Sequence, residues 1–218
     1  MDPRGRGARE PKTNTSEHIN QGRPPNDRLP KSVTRTLRLD DDLDKSIQQE
    51  AVEGNVSVNL LVNQLIRRHV EWEAPFEKFG RVHIYTGLFR RLVEVADEET
   101  LHGFGRWMAG EFYEPFARYL FGEFTFQTAL LTFKKMAMYG GVYAFIYNSS
   151  DKRNYIVVLR HGSGNKYSAY FTGLLKGVYS DILKMDAKVE ATKDFCLAQI
   201  AVVQKDVLIG EARNPTAR

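Results

Sequence analysis

Residues 34–72, TRTLRLDDDLDKSIQQEAVEGNVSVNLLVNQLIRRHVEW, are strongly patterned yet too few to bury a core alone. A unit of roughly 40 residues lies at the lower limit for independent folding without a metal, a disulfide or oligomerisation. No cysteine lies in the segment to staple it. Thr34 to Leu39 alternates as a strand does, with Leu37 and Leu39 on one face and Thr34, Thr36 and Arg38 on the other. A lone strand exposes unpaired backbone groups. The economical expectation is an obligate homodimer whose two copies pair these residues as an antiparallel ribbon.

Asp40, Asp41 and Asp42 follow at once and suit the start of a helix, as N-cap and as acids in its first turn. Leu43, Ile47 and Ala51 then recur every four residues, and Gly54-Asn55 supplies a helix exit. Ser57 is a second N-cap candidate. After it, Val58, Leu61, Val62, Leu65, Ile66, His69 and Val70 fall on one helical face, which predicts a partly buried His69.

This order resembles the ribbon-helix-helix family of DNA-binding proteins, which includes the Arc and methionine repressors. The likeness covers about 40 residues and rests on TLRLDDDL, the turn EGNVSVN and the two helical stripes. It implies a ribbon in the major groove. By that resemblance Thr34, Thr36 and Arg38 touch base edges, and the backbone around Ser57, Val58 and Asn59 clamps a phosphate at a helix start. Arg35 is a surface or phosphate contact rather than a reader. Arg38 carries the most weight, because its fork matches the O6 and N7 of guanine.

Charge points the same way. The chain carries formal net charge +4, and up to Arg38 nine basic residues face four acids. A positive excess suits a polyanionic partner. Residues 1–32 hold too little apolar material to offset ordering entropy, so a basic disordered tail is expected. No apolar run suits a signal peptide or a membrane span. The lone Cys196 excludes an intramolecular disulfide framework and fits a reducing cytoplasm.

Residues 33–72 thus read as the DNA-binding domain and 73–80 as a linker containing Pro75, which is not expected to continue a helix. Residues 81–205 read as a larger α+β domain, and 206–218 as a tail. Helical spacing runs to Tyr139, including an α-helical stripe of Leu88, Leu92 and Val95, and Gly140-Gly141 break it. Strands are then expected over 142–147 and 155–159, a helix over 166–185, and strands over 188–192 and 195–203. The order β-β-α-β-β predicts a small antiparallel sheet. The words DEETL, YGG and LRHGSGNKYSAYF also resemble a domain of archaeal regulators of unassigned function.

HGSGNK lacks the spacing of a phosphate loop and reads either as a strand-to-helix turn or as an anion site at a helix start. His161 has no second histidine nearby in sequence, and His83 and His102 approach it only in space, so no metal site is expected. Phe112, Tyr113, Phe116, Tyr119, Phe121, Phe124 and Phe126 read as core or as pocket lining, with core favoured. No spacing argues for catalysis. The expected protein is a dimeric transcriptional regulator, more a repressor than an activator. Its partners are double-stranded DNA and a second copy, with higher oligomers on DNA and a small-molecule effector left open. It needs no cofactor and is not an enzyme. The alternatives are an antitoxin-like or other protein-interaction module, and an enzyme tethered to DNA.

Overall fold

A computed structural model describes residues 33–80, 84–149 and 153–202. The tails at 1–32 and 206–218, and His83, lie outside them. Two compact units are distinguished, residues 1–44 and 45–218. In the first, residues 33–40 form no strand, and every one of them is exposed. Leu37 and Leu39 are 59% and 39% accessible. The expected ribbon is therefore not shown. A strand needs a hydrogen-bonding neighbour, and an alternating sequence without one stays irregular.

Helix α1 (Asp41–Glu53) starts with the acids its dipole favours, Asp41, Asp42 and Asp44. Ile47 and Ala51 are buried, while Leu43 is exposed. The exit is left-handed at Asn55 (φ 51°), and Val56 N–H reaches back to Ala51 O. Ser57 caps α2 (Val58–Arg68), its hydroxyl accepting from Leu60 N–H at 3.2 Å. Only Leu61 of the α2 stripe is buried, with Val58 and Val62 half-covered. Leu65, Ile66 and Val70 remain exposed. His69 is 59% exposed beside Glu73, so the expected partly buried histidine is a surface one.

Helical structure runs past Pro75. A π turn (His69–Glu73) precedes α3 (Ala74–Glu77), whose first turn holds the proline. A proline inside a helix lacks a donor and crowds the carbonyl four residues back; a widened turn accommodates both. The same device recurs at Pro115, where a π turn (Ala109–Tyr113) joins α5 (Glu98–Met108) to α6 (Glu114–Phe121).

Helices α4 (Thr86–Val95) and α7 (Phe126–Gly140) complete the set before the sheet. In α4 the expected stripe faces solvent: Leu88, Leu92 and Val95 are exposed, and Val93 is buried instead. Phe89 accounts for the rotation, since its ring meets Tyr167 edge to face. The α+β arrangement and its antiparallel sheet are as expected. Strands β1 (Ala144–Ser149) and β2 (Asn154–Arg160) precede α8 (Asn165–Lys176); β3 (Asp186–Ala191) and β4 (Phe195–Ala201) follow it. The sheet order is β1-β2-β4-β3.

Register fixes the faces. Tyr155, Val157 and Leu159 of β2 oppose Ile200, Ala198 and Cys196 of β4, and all six are buried. Alternation puts Ile156 and Val158 on the other face. The inner row meets Phe126, Phe133, Phe171, Leu175 and Tyr179 in one continuous core.

The closest helix crossing is α5 on α8. A Cβ on Gly105 would strike the carbonyl of Tyr170 and approach Leu174 N to 2.7 Å; one on Gly173 would strike the carbonyl of His102. One on Gly177 would meet the Ala109 methyl at 2.6 Å. Small residues spaced by four on both helices thus bring two backbones into contact. The π turn Gly177–Ile182 extends α8 just beyond.

Candidate functional site

A concavity lies where α4 ends and α8 begins. It is an open groove of about 380 Å³, lined by Arg90, Val93 and Glu94 of α4 and by residues 162–167. Sequence spacing singled out HGSGNK but gave no sign of Arg90, which arrives from a helix more than 70 positions away.

The loop that forms one wall is dictated by two glycines. Gly162 (φ 61°) and Gly164 (φ 91°) hold conformations that L side chains rarely adopt, and added Cβ atoms would meet nothing. Their need is therefore backbone freedom rather than space. The turn between β3 and β4 anchors the loop: His161 and Gly162 N–H both donate to Asp194 O (2.9 and 3.0 Å), and Gly164 N–H donates to Lys193 O (2.9 Å). Lys166 reaches from the first turn of α8 to donate its ammonium to Glu94 O, near the end of α4. The first internal bond of α8 is Ser168 N–H to Gly164 O. The amides of Asn165, Lys166 and Tyr167 precede it, as the first amides of any helix do.

Beneath the loop, His161 and Ser168 are 3.1 Å apart through Nε2 and Oγ. This pair is not a nucleophile and its base. Ser163 N–H donates to His161 Nδ1 at 3.1 Å, so Nδ1 is the unprotonated nitrogen and Nε2 carries the proton. That proton goes to Ser168 Oγ, whose own hydrogen is given to Thr192 O in a short contact. Burial lowers the imidazole pKa, against a smaller opposing pull from Asp194. Cys196 lies on the far side, donating its thiol to Ser168 O (3.3 Å). Burial pushes that thiol up, as for an inert cysteine.

Thr34, Arg35, Thr36 and Arg38 stand on the exposed irregular segment, and Ser57, Val58 and Asn59 form the start of α2. Nothing in the described residues brings the first set onto a sheet. The aromatic run behaves as core. Tyr113 donates to Ala129 O (2.7 Å) and Tyr143 to Phe133 O (3.1 Å). Their rings pack on Phe124, Phe133 and Phe171 at centroid spacings of 4.5–6.4 Å. Phe126 and Phe133 also lie beside Tyr179. Tyr119 alone of the buried set expected is 46% exposed. Among the described residues no cluster of metal-ligating side chains occurs, and no helix is long and apolar enough to cross a membrane.

No family model matches the chain. No curated protein matches it either. Solved structures similar to it are H-NOX domains. One comes from work on H-NOX activation: 18% identity, TM-score 0.42, covering 62% of this chain and 89% of that one. Another is an oxygen-binding H-NOX domain related to soluble guanylate cyclases: 17%, 0.36, 84% and 82%. A third probes heme distortion in the H-NOX family: 14%, 0.38, 84% and 81%. None of these is a ribbon-helix-helix protein. The ribbon is likewise not shown, so the resemblance to that family is overturned, and with it the repressor function, the DNA partner and the antitoxin-like alternative. Likeness at these scores assigns no ligand to this chain. The described residues do not fit a heme: rings fill the interior against the sheet, the seam between α5 and α8 is closed at Gly105 and Gly173, and His161 has both ring nitrogens engaged. His102 is half-buried beside that closed seam, with burial, Lys176 and Arg106 lowering its pKa.

Proposed function

We propose that residues 81–205 form a non-catalytic binding domain that takes a small phosphate- or carboxylate-bearing molecule in the groove at the start of α8. The observation that carries this reading is that Arg90 and the first turn of α8, with Lys166 held on Glu94 O, line one concavity. An arginine fork pairs two anionic oxygens at once, and a helix start adds donors and the positive end of its dipole. Glu94 is the opposing charge on the rim and favours ligands whose anionic end lies towards Arg90. The groove falls within the size range of small-molecule sites, roughly 300–1,000 Å³. The neutral, fully committed His161–Ser168 pair favours binding over chemistry. A reducing cytoplasm suits the buried free thiol.

The test is a titration of the ¹⁵N-labelled chain with inorganic phosphate, then with a dicarboxylate, at fixed ionic strength. Saturable amide shifts confined to residues 162–167 are expected. Arg90→Glu is expected to weaken the response at least about tenfold, or roughly 1.4 kcal/mol. Non-saturating shifts, or shifts unchanged by Arg90→Glu, overturn the reading.

A further inference from the structure

We infer that His161 is a proton-operated latch on the glycine loop that precedes α8: the neutral ring holds the loop shut, and a proton on Nδ1 releases it. The inference concerns the loop itself and stands whether or not the groove takes an anion.

The geometry allows one protonation state. Nδ1 accepts the Ser163 amide, Nε2–H faces Ser168 Oγ, and Ser168 spends its hydrogen on Thr192 O. A second proton on the ring turns Nδ1 into a donor aimed at another donor. The Ser163 N–H cannot rotate away without moving Gly162 and Gly164, because it belongs to the backbone between them. Ser163 Oγ reinforces the turn by donating to His161 O (3.1 Å). The ring itself is not free to swing, since it stacks on Tyr167 and Phe171 at centroid distances of 6.1 and 5.3 Å. The response must therefore appear in the loop.

The surroundings do not neutralise an added proton at short range. From the β3–β4 turn, Asp194 and Lys193 face the loop chiefly through their carbonyls, which accept its amides. The Asp194 carboxylate attracts the charged ring, but more weakly than burial repels it. From α8 come Tyr167, Ser168 and Phe171, with Lys166 held at the end of α4 by Glu94 O. From β2, Arg160 immediately precedes the histidine. Gly162 and Gly164 give the released loop many conformations to enter.

The experiment is an NMR pH titration of the full chain, without added ligand. Above the midpoint the His161 nitrogens should report the Nε2–H tautomer. At one shared midpoint, below the ordinary imidazole value, the Gly162, Ser163 and Gly164 amides should shift, and the protection of the Ser163 amide relative to its intrinsic exchange rate should fall at least tenfold. His161→Asn places a non-titrating oxygen where Nδ1 accepts, and is expected to keep the loop fixed through that pH range. An Nδ1–H tautomer in the wild type overturns the latch. So does titration of His161 with the Ser163 amide unmoved, or an unchanged acid response in His161→Asn. Absence of any phosphate response, by contrast, bears only on the groove.

Discussion

Two hydrophobic clusters in this chain differ in how they are held. The smaller consists of Ile47, Ala51 and Leu61, with Val56, Val58 and Val62 against it. It joins two helices close in sequence, and leaves Leu60, Leu65, Ile66 and Val70 in water. The larger binds α4–α8 to one face of a four-stranded sheet and is sealed by backbone contact at Gly105 and Gly173. Local contacts are easy to form, but three buried side chains offset little conformational entropy. Long-range contacts are slow to form and, once made, add up. The helical pair should therefore open first, while the sheet and its helices melt together as one cooperative body.

The largest expected effect follows from the tightest contact. Gly173→Val places branched carbons where the His102 carbonyl already sits, so the two helices must separate or the core must shift. Overpacking costs about 1–3 kcal/mol, and a backbone obstacle belongs at the upper end. Chemical denaturation should show a loss of about 3 kcal/mol for the sheet-bearing body. A loss below about 1 kcal/mol would show that the seam is looser than described. Leu61→Ala ranks second, at about 2 kcal/mol, because the site has few neighbours to leave unsupported. Its effect should be local: hydrogen exchange accelerates over 41–68 and stays unchanged in β2 and β4. Equal acceleration in both would erase the distinction between the clusters.

The sheet-bearing body was readable because its signals are local in kind. Tyr155 to Leu159 is β-branched and aromatic, and Gly162 to Asn165 marks a strand-to-helix turn; the β-β-α-β-β order followed. The ribbon misled for a physical reason. Alternation in Thr34–Leu39 describes what a strand does if a ladder exists, and alternation cannot show that the ladder exists. The α4 stripe misled because Leu88, Leu92 and Val95 obey helical spacing as well as Phe89 and Val93 do, and only the partner ring of Tyr167 decides which face turns inward. Arg90 was invisible for the same reason: a groove wall contributed across the fold leaves no trace in spacing. The GxxxG spacing of Gly173 and Gly177, facing Gly105 and Ala109, was the one unused signal for the seam.

The smallest expected effect probes how the helical pair is tied to α7. Glu71, in the π turn after α2, accepts from Lys135 Nζ at 2.7 Å and from Tyr139 Oη at 3.2 Å; Arg67 lies 3.1 Å from its other oxygen. The Lys135 bond is the main cause holding the Glu71 carboxyl below its ordinary value of 4.5, against the opposing effect of burial. A carboxyl depressed in the folded state stabilises it above the unfolded pKa, and that contribution is lost as pH falls through the folded value. Lys135→Met should therefore raise the Glu71 midpoint in a ¹³C carboxyl titration. Because the Glu71 side chain is 33% accessible, solvent screening keeps the stability loss at neutral pH below about 1 kcal/mol. The gap between wild type and variant should close as pH falls through the depressed folded-state value, with Glu71 gaining its proton in the variant first and then in the wild type. A gap that persists into acid would mean that the Lys135 ammonium acts chiefly on the Tyr139 ring, whose centroid lies 5.9 Å away, rather than through the Glu71 carboxylate.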